Sequence, residues 1–275
     1  MTVRDYYMEH FEELPEAKRY HFATRMVRWF HSEEFKAYLM EHEPSHDLAA
    51  VLENNDYSQV RFYEERKPYF EKYEGLFGLE ATLFRVFNLL LDYGVDLRED
   101  FLKVYGRERL YEMCDALRND TEGFLVLTTY AVNVIALCEE LFPRGIDVYG
   151  EMLEIALAAE QNKMSIYLYT HIMLCESRFY TKKVEDHLEL YRRAMKKIDE
   201  IIEREYDSIS LDMKFESLVC AKMVGYTSEL EGRIREEAKK NIDGYVHDPA
   251  AIERLNTLDG AEHRNVLYIM SGLDS

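Results

Sequence analysis

Residues 163–180 read KMSIYLYTHIMLCESRFY, a run that is apolar on nearly every side when it is drawn as a helix. A helix that is hydrophobic all round belongs in a protein interior. His171 stands in the middle of this run, and an ionisable ring in such a place needs a hydrogen-bond partner, a ligand or a catalytic task. The run therefore predicts a buried helix and one candidate functional residue.

Runs of the same kind occur on both sides of it. They begin near residues 79, 123, 163, 209 and 260, and most are followed by a stretch that is apolar on one face only. Residues 182–205 show the one-sided pattern most clearly, because Val184, Leu188, Tyr191, Met195, Ile198 and Ile202 recur at steps of three or four. A spacing of roughly 40 to 50 residues fits one helical hairpin, with a buried and an amphipathic member.

This alternation predicts an all-α fold built from helical hairpins. An α/α toroid-like ring, with the all-round apolar helices inside and the one-sided helices outside, explains why alternate helices are apolar on every face. An open α-solenoid is the alternative, although its concave face normally meets solvent or a partner. No strand is predicted, because β-branched residues are sparse and Asp243-Gly244 follows a helical pattern instead of joining two alternating runs.

The first 75 residues have a different character, since they are rich in Tyr, Phe, Glu and Arg. Pro15 and Pro44 suit the first turns of helices, and we predict helices over residues 3–13, 15–42, 45–53 and 57–74. Pro68 lies inside the last of these and is expected to kink or split it. The predicted organisation is an N-terminal helical region, residues 1–75, which packs on an α/α helical-hairpin domain, residues 76–275.

Charge and cysteine content restrict the function classes. The chain has 53 acidic and 34 basic residues, and its formal charge of −19 repels phosphate backbones and anionic lipid heads. We therefore expect no nucleic-acid or membrane partner. No apolar run reaches the length of about 18 residues that a membrane span needs. The cysteines form no C-x-x-C pair and predict free thiols in a cytoplasmic protein: Cys114, Cys138, Cys175 and Cys220.

Polar residues on the all-round apolar runs are the candidate site, because they face either the packed core or a central cavity. Four of them, which lie on three different predicted helices, carry acid–base or metal chemistry: His171, Asp212, Glu216 and His263. Two imidazoles and two carboxylates can hold a divalent metal such as iron, manganese or zinc, or can act as a general base with its orienting partner. A purely structural interpretation also stands, in which His171 is hydrogen-bonded in the core and Asp212 caps a helix that begins near Ser210.

A second constellation lies in the N-terminal region. His42, His46 and Asp47 combine an i, i+4 histidine pair with a His-Asp dipeptide. On one continuous helix the two rings can clamp a metal ion. Pro44 stands between them, and this favours a charged turn between two helices.

The segment YTHIMLCESRFY (residues 169–180) resembles the hallmark of an uncharacterised all-helical family of bacterial and archaeal proteins, in which a Thr-His pair opens an apolar helix that closes on Asp-Phe-Gly. Thr170, His171 and Phe179 match this pattern, whereas Arg178 and Tyr180 depart from it. Residues 211–218 (LDMKFESL) resemble the family's Asp-x-x-x-Glu helix, and residues 261–267 (AEHRNVL) its C-terminal His helix. The resemblance implies an all-helical fold and draws attention to the same four residues, but it implies no particular reaction.

Two functional hypotheses follow. The first is a protein with a polar central cavity that binds a small molecule and transforms it with the help of a divalent metal held by the four residues. The alternative is a helical scaffold or protein-interaction module whose partner docks on the acidic, aromatic N-terminal helices, for example at Tyr6 and Tyr7. The sequence leaves homo-oligomerisation open, and it contains no phosphate loop, dinucleotide fingerprint or nucleophile elbow.

Overall fold

The computed structural model describes residues 1–274, which contain sixteen α-helices. In chain order the α-helices are α1 (Val3–Glu9), α2 (Glu16–Phe30), α3 (Glu33–Glu41), α4 (Leu48–Glu53), α5 (Tyr63–Lys72), α6 (Leu76–Asn88), α7 (Arg98–Tyr105), α8 (Arg107–Asn119), α9 (Thr121–Leu127), α10 (Thr129–Leu141), α11 (Val148–Ala158), α12 (Lys163–Glu176), α13 (Leu188–Arg204), α14 (Leu211–Met223), α15 (Glu231–Lys239) and α16 (Glu262–Met270). The all-α prediction is confirmed.

Several predicted helices are divided in the structure at residues with positive φ. The predicted helix 15–42 breaks after α2 at His31 (φ 55), and the run 124–142 breaks at Thr128 (φ 47). Gly106 (φ 92) separates α7 from α8. Pro68 lies inside α5, which starts later than predicted and remains one helix across it. These breaks depend on single backbone conformations, which a hydrophobic period does not reveal.

One short hairpin interrupts the helical pattern. Strands β1 (Ile242–Asp243) and β2 (Tyr245–Val246) pair antiparallel around Gly244, whose φ of 73 suits glycine. The pairing is held by a contact from α16: the Val246 N–H donates to Oδ1 of Asn265 at 2.7 Å, and Nδ2 of Asn265 donates to the Val246 carbonyl at 3.1 Å. The sequence predicted no strand here, because the hairpin depends on a residue that is distant in the chain.

The chain divides into two compact units. Unit 1 comprises residues 1–41 and 160–274, and unit 2 comprises residues 42–159. This division does not coincide with the predicted boundary at residue 75. The reason lies in helix packing, since α1 and α2 contact α16 near the other end of the chain, whereas α4 packs on α6. The predicted ring needs helices of both units, and it stays a prediction.

Unit 1 is organised around three helices that the sequence predicted to be buried. Helix α16 contacts α2 and α14, helix α14 also contacts α12, and α12 also contacts α13. Nearly all side chains of α12, α14 and α16 are buried. Helix α13 shows the one-sided burial that its stripe predicted, with Tyr191, Met195, Ile198 and Ile202 inside. Packing of these apolar faces supplies the main stabilisation of the unit.

The predicted long helix 163–180 ends early, at Glu176. Arg178, Phe179 and Tyr180 then adopt φ values of 52, 52 and 75. Consecutive non-glycine residues in this left-handed region are costly, and they persist only where tertiary contacts hold them. Arg178, which the sequence placed on the inner helix, therefore lies in a turn, and the same turn directs Tyr180 back into unit 1.

Unit 2 has α6 and α10 at its centre, and α10 contacts α6, α8, α9 and α11. Helix α4 approaches α6 so closely at Gly78 that a Cβ there would lie 2.3 Å from the Leu52 carbonyl oxygen. Only glycine fits this approach.

Within residues 1–274, no single helix combines the length and the apolar character that crossing a membrane requires. Helices α9 and α10 pass this test only when they are taken together, and they are bent by 107° relative to each other.

Candidate functional site

The accessible positions on the buried helices of unit 1 mark the candidate site. On α16 every side chain is buried except that of His263, and on α14 the exceptions are Asp212 and Lys222. On α12, beyond its first two residues, the accessible side chains are those of Tyr167 and His171, one turn apart. These accessible polar side chains mark the place where the sequence predicts a polar cavity. We refer to this predicted site as the polar cavity.

Asp212 and His263 form the centre of this site. Oδ1 of Asp212 and Nδ1 of His263 lie 2.8 Å apart, and the two side chains are 32% and 40% exposed. The second ring nitrogen of His263, Nε2, makes no hydrogen bond within residues 1–274. A carboxylate on one imidazole nitrogen fixes the orientation of the ring and leaves the other nitrogen available to a ligand.

Asp212 is not the helix cap that the structural interpretation assumed. Ser210 is the N-cap of α14, and its hydroxyl accepts the Met213 N–H at 3.4 Å. Asp212 lies in the first turn of the helix, where its carboxylate pairs with His263. The capping explanation of Asp212 is therefore wrong.

A loop between α15 and α16 holds the two helix starts together. Oδ2 of Asp248 accepts the Leu211 N–H at the start of α14, at 3.0 Å. The guanidinium of Arg264 on α16 donates to Oδ1 of Asn256 at 2.8 Å and to the Leu255 carbonyl at 2.7 Å, both in the same loop. Hydrogen bonds of this kind, some of them to a charged group, fix the spacing of the elements that carry Asp212 and His263.

Glu216 lies one turn after Asp212 on α14, and it is only 4% exposed. Its Oε1 has no hydrogen-bond partner within residues 1–274. Burial raises the pKa of Glu216 and the nearby Asp212 carboxylate adds to that rise, whereas His263, a hydrogen bond from Thr170 and the charge of Arg25 lower it. A buried carboxyl group with one unpartnered oxygen is costly for a purely structural residue.

The pKa of His263 moves in the direction opposite to the effect of burial. Burial disfavours the imidazolium, but the negative charges of Asp212, Glu216 and Glu262 outweigh it and raise the pKa to about 9. The raised pKa favours the imidazolium at neutral pH, in which both ring nitrogens carry a proton. The sequence did not reveal this protonation state, because the three acids reach the ring only in the folded unit.

His21 of α2 is the site residue that sequence reasoning missed. Its Nδ1 lies 2.8 Å from Oε1 of Glu262, and its ring centroid lies 5.3 Å from that of His263. Burial, opposed by Glu262, lowers the pKa of His21 to about 4. The predicted boundary at residue 75 placed α2 in another domain. One sequence pattern could have pointed to His21: it stands four residues before Arg25, so two basic residues share one face of α2.

Glu262 anchors this second imidazole from the interior of the unit. Its side chain is fully buried, and its Oε2 lies 3.5 Å from Nζ of Lys18. Burial works against ionisation, but His21 and Lys18 hold the pKa of Glu262 below its ordinary value. Glu262 is therefore an ionised, interior partner of α2.

Tyr180 closes another side of the site. Its ring is almost fully buried and lies under the guanidinium of Arg25, with 4.9 Å between the carbon of that group and the ring centroid. Burial raises the pKa of the Tyr180 phenol; Arg25 opposes the rise, while Glu216 and Asp212 add to it. Tyr180 is thus neutral and within electrostatic reach of both carboxyl groups.

The structure brings three of the four predicted residues together, namely Asp212, Glu216 and His263. The fourth, His171, follows Thr170 on α12, and the Thr170 side chain reaches Glu216. The backbone of His171 therefore lies next to the cluster, and its side chain has interactions of its own. Its role as a site residue stays a prediction.

The predicted metal set gains no support from the geometry. Within residues 1–274, no three or more side chains of the His, Cys, Asp and Glu types are grouped so that they can hold a metal ion. Nδ1 of His263 is engaged by Asp212. The acid–base interpretation of the four residues, with an orienting carboxylate, stays a prediction.

The His42–His46 constellation forms the charged turn. Nε2 of His46 lies 2.6 Å from Oε1 of Glu43 at the surface, and Asp47 is the N-cap of α4, with its Oδ1 accepting the Ala50 N–H at 3.2 Å. A cap at Asp47 means that the two histidines do not share a continuous helix. The i, i+4 clamp therefore does not form.

Comparison of the chain with protein-family models, with curated proteins and with solved structures finds no match. The function of the polar cavity therefore has to be argued from its own residues.

Proposed function

We propose that unit 1 binds a small molecule in the polar cavity and that the Asp212–His263 pair donates a proton to it. The observation that carries this proposal is the state of the His263 ring. One nitrogen is held by a carboxylate, the side chain is 40% exposed, and the pKa raised to about 9 favours the imidazolium at neutral pH.

The chemistry follows from these positions. Asp212 fixes the ring and stabilises the imidazolium, as the carboxylate does in a Ser-His-Asp arrangement. The Nε2–H of His263 donates a hydrogen bond, or a proton, to an oxygen or nitrogen atom of the ligand. Glu216, with its raised pKa and its unpartnered Oε1, is placed to exchange a proton with the same cluster. Pairs of titratable groups whose environments push their pKa values apart are typical of acid–base sites.

The cost of the arrangement supports the same conclusion. Glu216 and Glu262 are ionisable groups in the interior, and Asp212 and His263 stand on helices that are otherwise buried. Each buried polar group that lacks a hydrogen-bond partner lowers the free energy of unfolding by roughly 1–3 kcal/mol. Perturbed groups of this kind, gathered in one cluster, are candidates for function on physical grounds.

The alternative, a docking scaffold, loses one of its proposed contact residues. Tyr7 is fully buried, its hydroxyl donates to the Leu258 carbonyl at 2.9 Å, and its ring stacks on Phe22 at 5.7 Å between centroids. Tyr7 is therefore a core residue, and Tyr7→Ala would remove core packing. Tyr6 packs on His10 and Tyr245.

NMR of the histidine side chains tests the proposal directly. A set of small polar fragments (amides, alcohols, carboxylic acids) is titrated into the protein labelled with ¹⁵N-histidine. We expect at least one fragment to shift the His263 resonance saturably and to leave that of the exposed His46 unchanged. Asp212→Asn should weaken this binding, whereas the matched control Glu43→Gln, which alters the surface pair with His46, should not. A set in which no fragment shifts His263, or in which His263 and His46 respond alike, contradicts the proposal.

A further inference from the structure

A second pocket of unit 1 differs in charge from the polar cavity and from the chain as a whole. Its volume is about 390 Å³, and its lining includes four basic and two aromatic residues: Arg28, Trp29, Tyr180, Lys182, Lys183 and Lys222. In a chain with a formal charge of −19, four cations around one pocket are a local inversion of sign. We call it the basic pocket.

The three lysines of this pocket are exposed and have no carboxylate partner within residues 1–274. None of Lys182, Lys183 and Lys222 forms an ion pair with a carboxylate in the described part of the chain. Other lysines of the unit do so, as Lys18 does with Glu262 and Lys214 with Glu237. Like charges that converge without an anion repel one another, and a bound anion removes that cost.

Two of the residues that line the basic pocket are buried. Arg28 is only 5% exposed although it carries a permanent charge, and Tyr180, in the same lining, is almost fully buried. Lys222 passes over Gly272 so closely that a Cβ there would lie 2.6 Å from Nζ. The left-handed turn at residues 178–180 puts Tyr180 and the two lysines that follow it, Lys182 and Lys183, on this wall. Strained turns of this kind cluster at ligand sites.

We propose that the basic pocket binds a phosphate-bearing small molecule. A phosphate monoester carries a charge of about −1.5 to −2 at neutral pH, so it matches several cations better than a single carboxylate does. Arginine binds phosphate through its planar fork, and lysine acts as a point charge. Trp29 and Tyr180, whose rings are edge-on at 6.1 Å, offer an apolar wall to the organic part of the ligand.

The basic pocket and the polar cavity share Tyr180, which lines the first and lies within electrostatic reach of Asp212 in the second. The phosphate proposal does not rest on proton donation by His263. The two can be separated, because the lysines belong only to the basic pocket and Asp212 only to the polar cavity.

Trp29 is the single tryptophan of the chain and lies in the pocket, so its fluorescence reports on binding. Pyrophosphate is titrated at constant ionic strength, with sodium chloride as the compensating salt. We expect a saturable change in Trp29 emission, and a Kd about tenfold higher for Lys182→Gln/Lys183→Gln. The matched control is Lys163→Gln/Lys196→Gln, which removes two exposed lysines of unit 1 outside the pocket and should change the Kd by less than about twofold.

Three results would overturn the proposal: no saturable change, equal weakening in both double variants, or citrate binding as tightly as pyrophosphate under the same conditions. Asp212→Asn serves as the separating variant. It should leave pyrophosphate binding unchanged if the basic pocket acts alone, and a loss of binding in that variant contradicts the assignment to the lysines.

Discussion

Units 1 and 2 both carry polar side chains on apolar helices, but the two units differ in the hydrogen-bond partners that these side chains have. In unit 2, Nδ2 of Asn133 on α10 donates to Oε1 of Glu80 on α6 at 2.8 Å, and the Arg66 guanidinium donates to the Val126 and Arg61 carbonyls. These groups are engaged inside the unit. In unit 1, the His263 side chain is 40% exposed and Oε1 of Glu216 is unpartnered. A polar residue on an apolar helix is therefore not by itself a sign of function.

The largest effect is expected from a substitution at Glu262, the interior carboxylate of unit 1. Glu262→Ala leaves His21 and Lys18 without their buried anion, and we expect a loss of about 3 kcal/mol in the free energy of unfolding. The measurement is urea denaturation followed by circular dichroism. Glu43→Ala, which removes the surface partner of His46, is the control and should cost less than about 1 kcal/mol. Equal losses would show that the interior pair of unit 1 contributes no more to stability than an exposed pair of unit 2.

The second test concerns the protonation state that distinguishes unit 1. Asp212→Asn removes the nearest negative charge from His263, so the pKa of about 9 should fall by about one to three units. Titration of the His263 ring by NMR measures it. An unchanged pKa would mean that Asp212 does not stabilise the imidazolium.

The same shift makes the stability of the fold depend on pH. The pKa of His263 is raised in the folded state above its ordinary value of 6.5, so its stabilisation is complete below about pH 6.5 and is lost as pH rises through about 9. In His263→Gln this part of the dependence should disappear, which denaturation at pH 6, 8 and 10 would show. A variant with the same decline as the parent contradicts the assignment.

The third test turns to unit 2, where burial raises the pKa of Glu80 to about 7 and the hydrogen bond from Asn133 lowers it only in part. A raised carboxyl pKa means that the folded protein binds more protons than the unfolded chain, so stability falls as pH rises from about 4.5 to about 7. Glu80→Gln should remove this decline and raise stability at pH 8 by about 1–2 kcal/mol. A destabilised variant at pH 8 would mean that Glu80 needs its charge, as the groups of unit 1 do.

The smallest effect is expected at the surface turn of unit 2. His46→Ala removes an exposed ion pair with Glu43, and the free energy of unfolding should change by less than about 0.5 kcal/mol. Thermal unfolding, with and without equimolar Zn²⁺, measures it. A zinc-dependent rise in Tm that His46→Ala abolishes would restore the metal interpretation of the His42–His46 pair.

The hydrophobic pattern of the sequence predicted which helices are buried, but it did not predict the hydrogen-bond partners of their polar side chains. The all-round apolar runs that contain His171, Glu216 and His263 became buried helices, because a helix without a polar face has no stable position at the surface. The same pattern also selected Asn133, which is engaged by Glu80. The sequence could not separate the two outcomes, since the partner of each polar atom lies on another helix.

By itself the sequence determined that the chain is helical, which helices are buried and which polar residues they carry, because the hydrophobic period acts over a few turns. The tertiary structure alone decided that α2 joins the C-terminal helices, that His21 and Glu262 stand beside His263, and that Tyr180 turns back toward Asp212. These are contacts between residues far apart in the chain. They depend on side-chain packing and on single backbone conformations, which no local pattern records.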